Sequence, residues 1–291
     1  VASNGLLPTQ AATYTSHYHR PNSVGVLLQL LAAKADAQRT FATAVQEALP
    51  KPDSYPEADT TMLELLLEHK AVVDNDCTVS ICRPRYTSRP LACALMSGDI
   101  SMVKLLVKHG ARLTEDELCR SSDLLFSVAR HDNFDSSLAN MQYLLKLKAN
   151  VHVAQPNGAL VRVVRAANKL SNMSDTVKIA HYNRVASLLL RAKASPTAPG
   201  LQTRRTNPLA LAINNVALVA QLLRAKADPT VTLSDKRTTL LHMPHLLPAV
   251  VRLLLEAKAD ANARERDGTT PMDKTHRQDV MAVLRAHGAE N

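Results

Sequence analysis

Aromatic residues make up only 3% of the 291-residue chain, and tryptophan is absent. A core built around large rings is excluded, so leucine, valine and alanine must do the packing, as suits thin layers of helices. Glycine is scarce, at eight. No Gly-rich phosphate loop can be assembled, because those eight are dispersed. The four cysteines, Cys77, Cys82, Cys93 and Cys119, are too few and too scattered for a disulfide framework. A reducing compartment follows as the expectation: cytoplasm, or the lumen, stroma or matrix of an organelle if a leader was removed before Val1. The first residue, Val1, fits either a removed leader or a boundary of the sequence, and both readings stay open. No apolar run approaches the roughly 18–20 residues that span a bilayer, so a soluble chain is expected.

Catalytic signatures are missing as well. There is no G-x-S-x-G, no H-E-x-x-H and no C-x-x-C. "HMPH" pairs His242 with His245, and "SHYH" pairs His17 with His19, but neither has the other ligand types beside it. The cysteine gaps match no usual zinc pairing. Asp and Glu are spread along the chain and offer no catalytic carboxylate pair. The expectation is a non-enzyme without metal or cofactor.

What is present is repetition. "LLLEAKADAN" at 253–262 is echoed by "LLRAKADPT" at 222–230, "LLLRAKASPT" at 188–197 and "LLQLLAAKADAQ" at 27–38. Anchored on the residue after each leucine cluster, the copies fall at Lys34, Lys70, Gly110, Lys148, Lys193, Lys226, Lys258 and Gly288. Their spacings are 36, 40, 38, 45, 33, 32 and 30 residues. In "AVVRLLLEA", Val250, Val251, Leu254 and Leu255 fall at helical spacing. Pro90, Pro208 and Pro271 sit where a first helical turn tolerates a missing N–H. One helix pair cannot bury its own apolar face, whereas stacked pairs can, which predicts a solenoid.

"SRPLACALMSGDISMVKLLVKHGARL" (88–113) and "DGTTPMDKTHRQDVMAVLRAHGAEN" (267–291) resemble the ankyrin repeat, in which D-G-x-T-P-L-H leads to L-L-L-x-x-G-A. Weaker matches are 206–228 and 238–260. The resemblance implies an all-α, ankyrin-like solenoid of stacked helix pairs joined by hairpin loops. It would run through residues 1–291 as a single domain of about eight units: 4–38, 39–74, 86–114, 121–152, 156–197, 204–230, 236–262 and 267–291. His242 then occupies the histidine position of the turn, a structural role. The anchor residue normally is Gly in the family, where the chain leaves the second helix left-handed, yet six of the eight copies use Lys. Three spans depart from the pattern. "LPKPDSYPEADTT" and "ARHDNFDSSLAN" are inserted in the second and fourth units, and "AANKLSNMSDTVKIAHYN" (166–183) either extends a first helix or adds another. Insertions in solenoids collect on one face and often mark the binding side.

Charge points to the same region. Residues 151–230 hold eleven basic and two acidic side chains, which accounts for the whole net charge of +9. The remaining residues carry 24 of each sign. Arg162, Arg165 and Lys169 stand at i, i+3 and i+7 of a predicted first helix, opposite Leu160, Val163, Val164, Ala167 and Leu170. In the family such helices line the concave binding face. Lys178 and Arg184 follow in the insertion and just past it. Further basic residues fall on predicted hairpin tips: Arg83, Arg85 and Arg89, then Arg204 and Arg205, Lys236 and Arg237, Arg264 and Arg266. The candidate contact set is Arg162, Arg165, Lys169, Lys178, Arg184, Arg204, Arg205, Lys236 and Arg237. The expected function is a protein–protein interaction scaffold, docking through its concave face and tips onto an acidic partner, as an accessory subunit of a larger assembly. The alternative is a charge-driven binder of nucleic acid or of an anionic membrane surface. Against single-stranded nucleic acid stands the lone aromatic of 151–230, Tyr182, which offers no stacking platform.

Overall fold

The structure is a computed structural model that describes residues 61–68, 73, 89–119, 121–151, 158–171, 175–197, 206–233 and 238–290. These residues are helical and contain no strand. The helices, in chain order, are α1 (Thr61–Glu68), α2 (Pro90–Ser97), α3 (Ile100–Lys108), α4 (Glu115–Cys119), α5 (Ser121–Ala129), α6 (Phe134–Lys146) and α7 (Ala159–Ser171). Then come α8 (Thr176–Arg191), α9 (Pro208–Ala212), α10 (Val216–Arg224), a 3-10 turn (Leu240–His242), α11 (Pro248–Glu256), α12 (Pro271–Lys274) and α13 (Gln278–Ala286). No helix among the described residues is long and apolar enough to cross a membrane. The fold divides into two compact units, one of residues 1–119 with 130–144 and one of 120–129 with 145–291.

In the first unit, α2 and α3 form a helix pair. Pro90 opens α2 at its first turn, as the sequence predicts. Gly98 ends α2 at φ 79°, and a Cβ there would lie 2.3 Å from the His131 ring, so the position excludes a side chain twice over. Asp99 caps α3 by accepting from the N–H of Ser101 and of Met102, at 2.8 and 2.9 Å. Leu91, Leu95, Met102 and Leu106 are fully buried between them. Thr114 and Glu117 exchange hydrogen bonds as a capping box on α4. The second Glu117 oxygen accepts the Arg89 N–H at 3.1 Å.

In the second unit, first helices and second helices form two layers. α7 packs between α5 and α9, and against its own partner α8. The second layer runs α8, α10, α11, α13, each against the next. Leucines, valines and alanines fill the space, with Val163, Val164, Leu189, Leu222 and Val250 fully buried. Thin layers of this kind need no large rings, which is why the aromatic-poor composition suffices.

Among the described residues the repeated phrase has a single geometry. In four copies the lysine has a positive φ: Lys148 59°, Lys193 67°, Lys226 67° and Lys258 77°. Gly110 and Gly288 occupy the same place at 87° and 85°. Around Lys226, Ala227 N–H reaches the Leu222 carbonyl at 3.0 Å and Lys226 N–H the Leu223 carbonyl at 2.9 Å. The same two bonds recur around Gly110, Lys193, Lys258 and Gly288. This is the Schellman ending, in which the residue after the left-handed one packs on the helix. That residue is alanine every time, and Ala111, Ala149, Ala194 and Ala227 are all buried. Lys34 and Lys70 lie outside the described residues.

Side chains tie neighbouring repeats together near the end of the chain. His242 is 2% exposed. Its Nδ1 accepts from Thr239, and its Nε2 donates to the Thr269 carbonyl at 3.1 Å. The histidine of "HMPH" is therefore structural. Asn262 donates to the Gly288 carbonyl and accepts from the Glu290 N–H, at 2.9 and 2.8 Å.

Candidate docking surface

The insertion at 166–183 lengthens both helices of its pair. α7 has 13 residues and α8 has 16, against 5 and 9 in the following pair, α9 and α10. Two hydrogen bonds mark how far the neighbours reach along α8. His181 Nε2 donates to the carbonyl of Ala129, the last residue of α5, at 3.0 Å. Asn183 pairs through its amide with Asn215, the N-cap of α10, with Asn215 Nδ2 donating at 2.8 Å. Within the second unit, the α8 residues before 181 therefore run past the start of α10 and the end of α5. The overhang is about 10 Å at 1.5 Å per residue. It lies at the opposite end of the pair from the hairpin loops, because the chain turns there from first helix to second.

α7 is amphipathic as its sequence predicts. Leu160, Val161, Val163, Val164 and Ala167 are buried, while Arg165 and Lys169 are exposed. Leu170 is half-buried. Arg162 differs from its stripe-mates. It pairs with the Asp123 carboxylate of α5, and its guanidinium carbon lies 4.1 Å from the centroid of the Phe126 ring. Its side chain is 25% exposed. Arg162 thus clamps α7 to α5 through a cation–π contact, and the exposed partner Asp123 adds little. A sequence signal for this existed: Asp123 and Phe126 stand about one repeat length upstream of Arg162.

α8 starts at Asp175, whose carboxylate accepts the Lys178 N–H at 3.0 Å. Its first turn holds no acid, and its third position is Lys178. The corresponding positions of the capping boxes on α4 and α12 are Glu117 and Asp273, each bonded back to the preceding threonine. A cation at a helix N-terminus opposes the macrodipole, so α8 places Lys178 where stability alone favours a carboxylate. Next to it, Val177 is 64% exposed, the one large hydrophobic side chain so placed among the described residues. Lys178 is half-buried and Arg184 exposed. Lys169, in the last turn of α7, and Lys178, in the first turn of α8, thus fall at the overhanging end of the pair.

His181 and Tyr182 turn inward below that end, with ring centroids 5.5 Å apart. Burial holds the His181 imidazole below its ordinary pKa. The Ala129 carbonyl works in the other direction, and the Arg184 charge adds to the lowering. The ring is neutral and acts as a pin between α8 and α5. Tyr182 is buried, so it offers no stacking surface.

Of the sequence-predicted contact residues, Arg204, Arg205, Lys236 and Arg237 lie outside the described residues, as do Arg83 and Arg85. Arg264 and Arg266 are exposed. Among the described residues no three His, Cys, Asp or Glu side chains gather as a metal site. Cys77 and Cys82 lie outside those residues, and Cys93 is a buried free thiol.

No family model matches the chain, and no curated protein sequence does. Solved structures do. The chain is similar to the ankyrin repeat domain of Bcl-3, described as a unique member of the IkappaB protein family, at 18% identity and a TM-score of 0.50. That match covers 84% of this chain and 97% of the other. The human ASB11 ankyrin repeat domain matches at 15% identity and a TM-score of 0.37, covering 98% of each chain. The fold is that of an ankyrin-repeat solenoid, as the resemblance in the sequence implies.

Proposed function

We propose that this chain is a non-catalytic protein-interaction scaffold, an array of about eight ankyrin-like units that docks its basic middle onto an acidic partner surface. The observation that carries this reading is the placement of the charge excess. The chain's entire net charge of +9 lies in residues 151–230, on and beside a helix pair longer than the pair that follows it. A repeated array also supplies a rigid, extended surface, which suits docking better than chemistry. The contact set is Arg165, Lys169, Lys178 and Arg184 on the long pair, with Arg204, Arg205, Lys236 and Arg237 further along the sequence. Arg162 is proposed to support the surface by holding α7. The similar Bcl-3 structure is an ankyrin repeat domain, and the rigid extended surface of such an array agrees with a role as an accessory subunit.

The test is affinity capture with the full chain, followed by identification of what is retained, against a variant reversed at Arg165, Lys169, Lys178 and Arg184. Helix content by circular dichroism checks that the variant folds. Loss of a specific acidic protein from the variant's eluate supports the reading. Identical eluates from the two proteins overturn it.

A further inference from the structure

We propose that the C-terminal ends of α8 and α10 form a docking edge of their own, and that its occupant is a short acidic segment of a partner protein. Arg191 and Lys193 at one helix end, and Arg224 and Lys226 at the next, meet carboxylates placed every third residue along that segment. The proposal rests on the reading of the chain as a basic interaction scaffold and adds to it a surface built from helix ends.

The two helix ends stand level. Asn215 Nδ2 donates to Asn183 at 2.8 Å, which fixes Asn183 of α8 beside the N-cap of α10. Lys193 follows Asn183 by ten residues, and Lys226 follows Asn215 by eleven. Second helices of a stacked array run parallel, so the two lysines end neighbouring helices at nearly the same height. α8 and α10 are in contact, and packed helices lie about 8–10 Å apart. A polyproline-II segment presents the same face every three residues, about 9 Å along its axis, so its repeat matches that separation. All four cations are exposed, and no carboxylate among the described residues pairs with any of them. Asp228 follows Lys226 closely, but one of its oxygens accepts both the N–H and the hydroxyl of Thr230, at 2.8 and 2.7 Å. Ser195 holds the corresponding place after Lys193. Stability does not call for this charge, because Gly110 and Gly288 fill the lysine's place in other repeats. α11 ends the same way at Lys258, yet carries Glu256 where α8 and α10 carry Arg191 and Arg224. Glu256 and Asp260 are exposed, so the positive edge stops after two helices. A row of cations one interhelical step wide is complementary to a short acidic segment. A duplex nucleic acid or an anionic bilayer carries its charges over a longer span and would set them against Glu256 and Asp260. No aromatic ring stands at either helix end to stack bases.

Fluorescence anisotropy at low salt tests the assignment. The probes are a labelled peptide of four Glu-Pro-Ser triplets, an isomer with its four glutamates consecutive, a DNA duplex, and vesicles of phosphatidylserine and phosphatidylcholine. The intact chain is expected to bind the triplet peptide about threefold more tightly than the isomer. The Arg191→Ala, Lys193→Gly, Arg224→Ala, Lys226→Gly variant should bind the triplet peptide about tenfold more weakly and lose the preference. Glycine suits both helix endings, as Gly110 and Gly288 show, and circular dichroism checks the fold. Lys104, Lys108, Arg252 and Arg285 are exposed cations away from this edge. Changing all four to alanine removes the same charge and should leave binding within about twofold. Equal weakening by the two variants overturns the edge, because net charge alone then accounts for binding. If reversal of Arg165, Lys169, Lys178 and Arg184 abolishes peptide binding while the edge variant retains it, the edge falls and the broader scaffold reading stands. Binding confined to the duplex or the vesicles, or no binding of either peptide, also overturns the edge. Retention of a specific acidic protein in affinity capture would then still uphold the scaffold.

Discussion

A lysine at positive φ is unusual, and among the described residues it occurs four times at the same structural place. A non-glycine residue in the left-handed region costs about 1–2 kcal/mol. Glycine there would cost about 0.5–1 kcal/mol in the entropy of the unfolded chain. A lysine at the helix C-terminus recovers about 0.3–1 kcal/mol from the dipole. The choices nearly balance, so Lys226→Gly should change stability by less than about 1 kcal/mol in urea unfolding. A β-branched side chain has no such balance, and Lys226→Val should lose about 1–2 kcal/mol. Gly98 is the opposite case, since a Cβ there meets the His131 ring at 2.3 Å as well as an unfavourable φ of 79°. Gly98→Ala should therefore cost about 2 kcal/mol or more. In a double-mutant cycle, His131→Ala should return part of that loss, whereas additive effects would show that the ring is not what excludes the methyl group.

At the scale of helices, the periodic leucines, the prolines at first turns and the AKAD phrase are local patterns, and local patterns are what a sequence displays. The stacked helix pairs, the buried face of α7 and the structural His242 were legible for that reason. The insertion at 166–183 was visible but its outcome was not, because lengthening two helices and adding a third use the same residues. In the sequence Arg162 is one of three cations on a single helical stripe. Its partners, Asp123 and Phe126, belong to the preceding repeat, and only packing brings them to it. Arg162→Ala should consequently cost about 1 kcal/mol, from the lost cation–π contact and stem packing. Asp123→Ala, at an exposed carboxylate, should stay within about 0.5 kcal/mol. Lys178 reverses the usual relation between a substitution and stability. Lys178→Glu places a carboxylate at the N-terminus of α8, so it should stabilise the fold by about 0.3–1 kcal/mol. If the same change weakens capture of an acidic partner, stability has been given up there for contact. If it destabilises the protein, Lys178 has a packing role instead.

For the molecule as a whole, the pins between repeats include titratable groups, so acid should loosen the second unit in two steps. His181 is held below its ordinary pKa by burial, with the Arg184 charge adding to the effect. The unfolded chain takes up a proton at its ordinary value, about 6.5, before the folded chain does. Stability linked to His181 is thus present above that value and falls as the pH drops through it toward the folded value. Glu265 behaves likewise at lower pH. The Thr238 hydroxyl, donating at 2.7 Å, and then Lys274 at 3.2 Å hold its carboxyl below the usual range against the opposing effect of burial. Its contribution is present above the ordinary carboxylate value and is lost as the pH falls below it. His181→Gln keeps a donor for the Ala129 carbonyl but cannot titrate, and Glu265→Gln keeps an acceptor for Thr238. Urea unfolding between pH 7.5 and pH 3 should show a weaker decline from about pH 7 to 5 in the first variant, and a weaker decline below about pH 4.5 in the second. A His181→Gln profile parallel to that of the parent across the upper window would mean that the ring is not the group whose burial couples repeat stacking to protons.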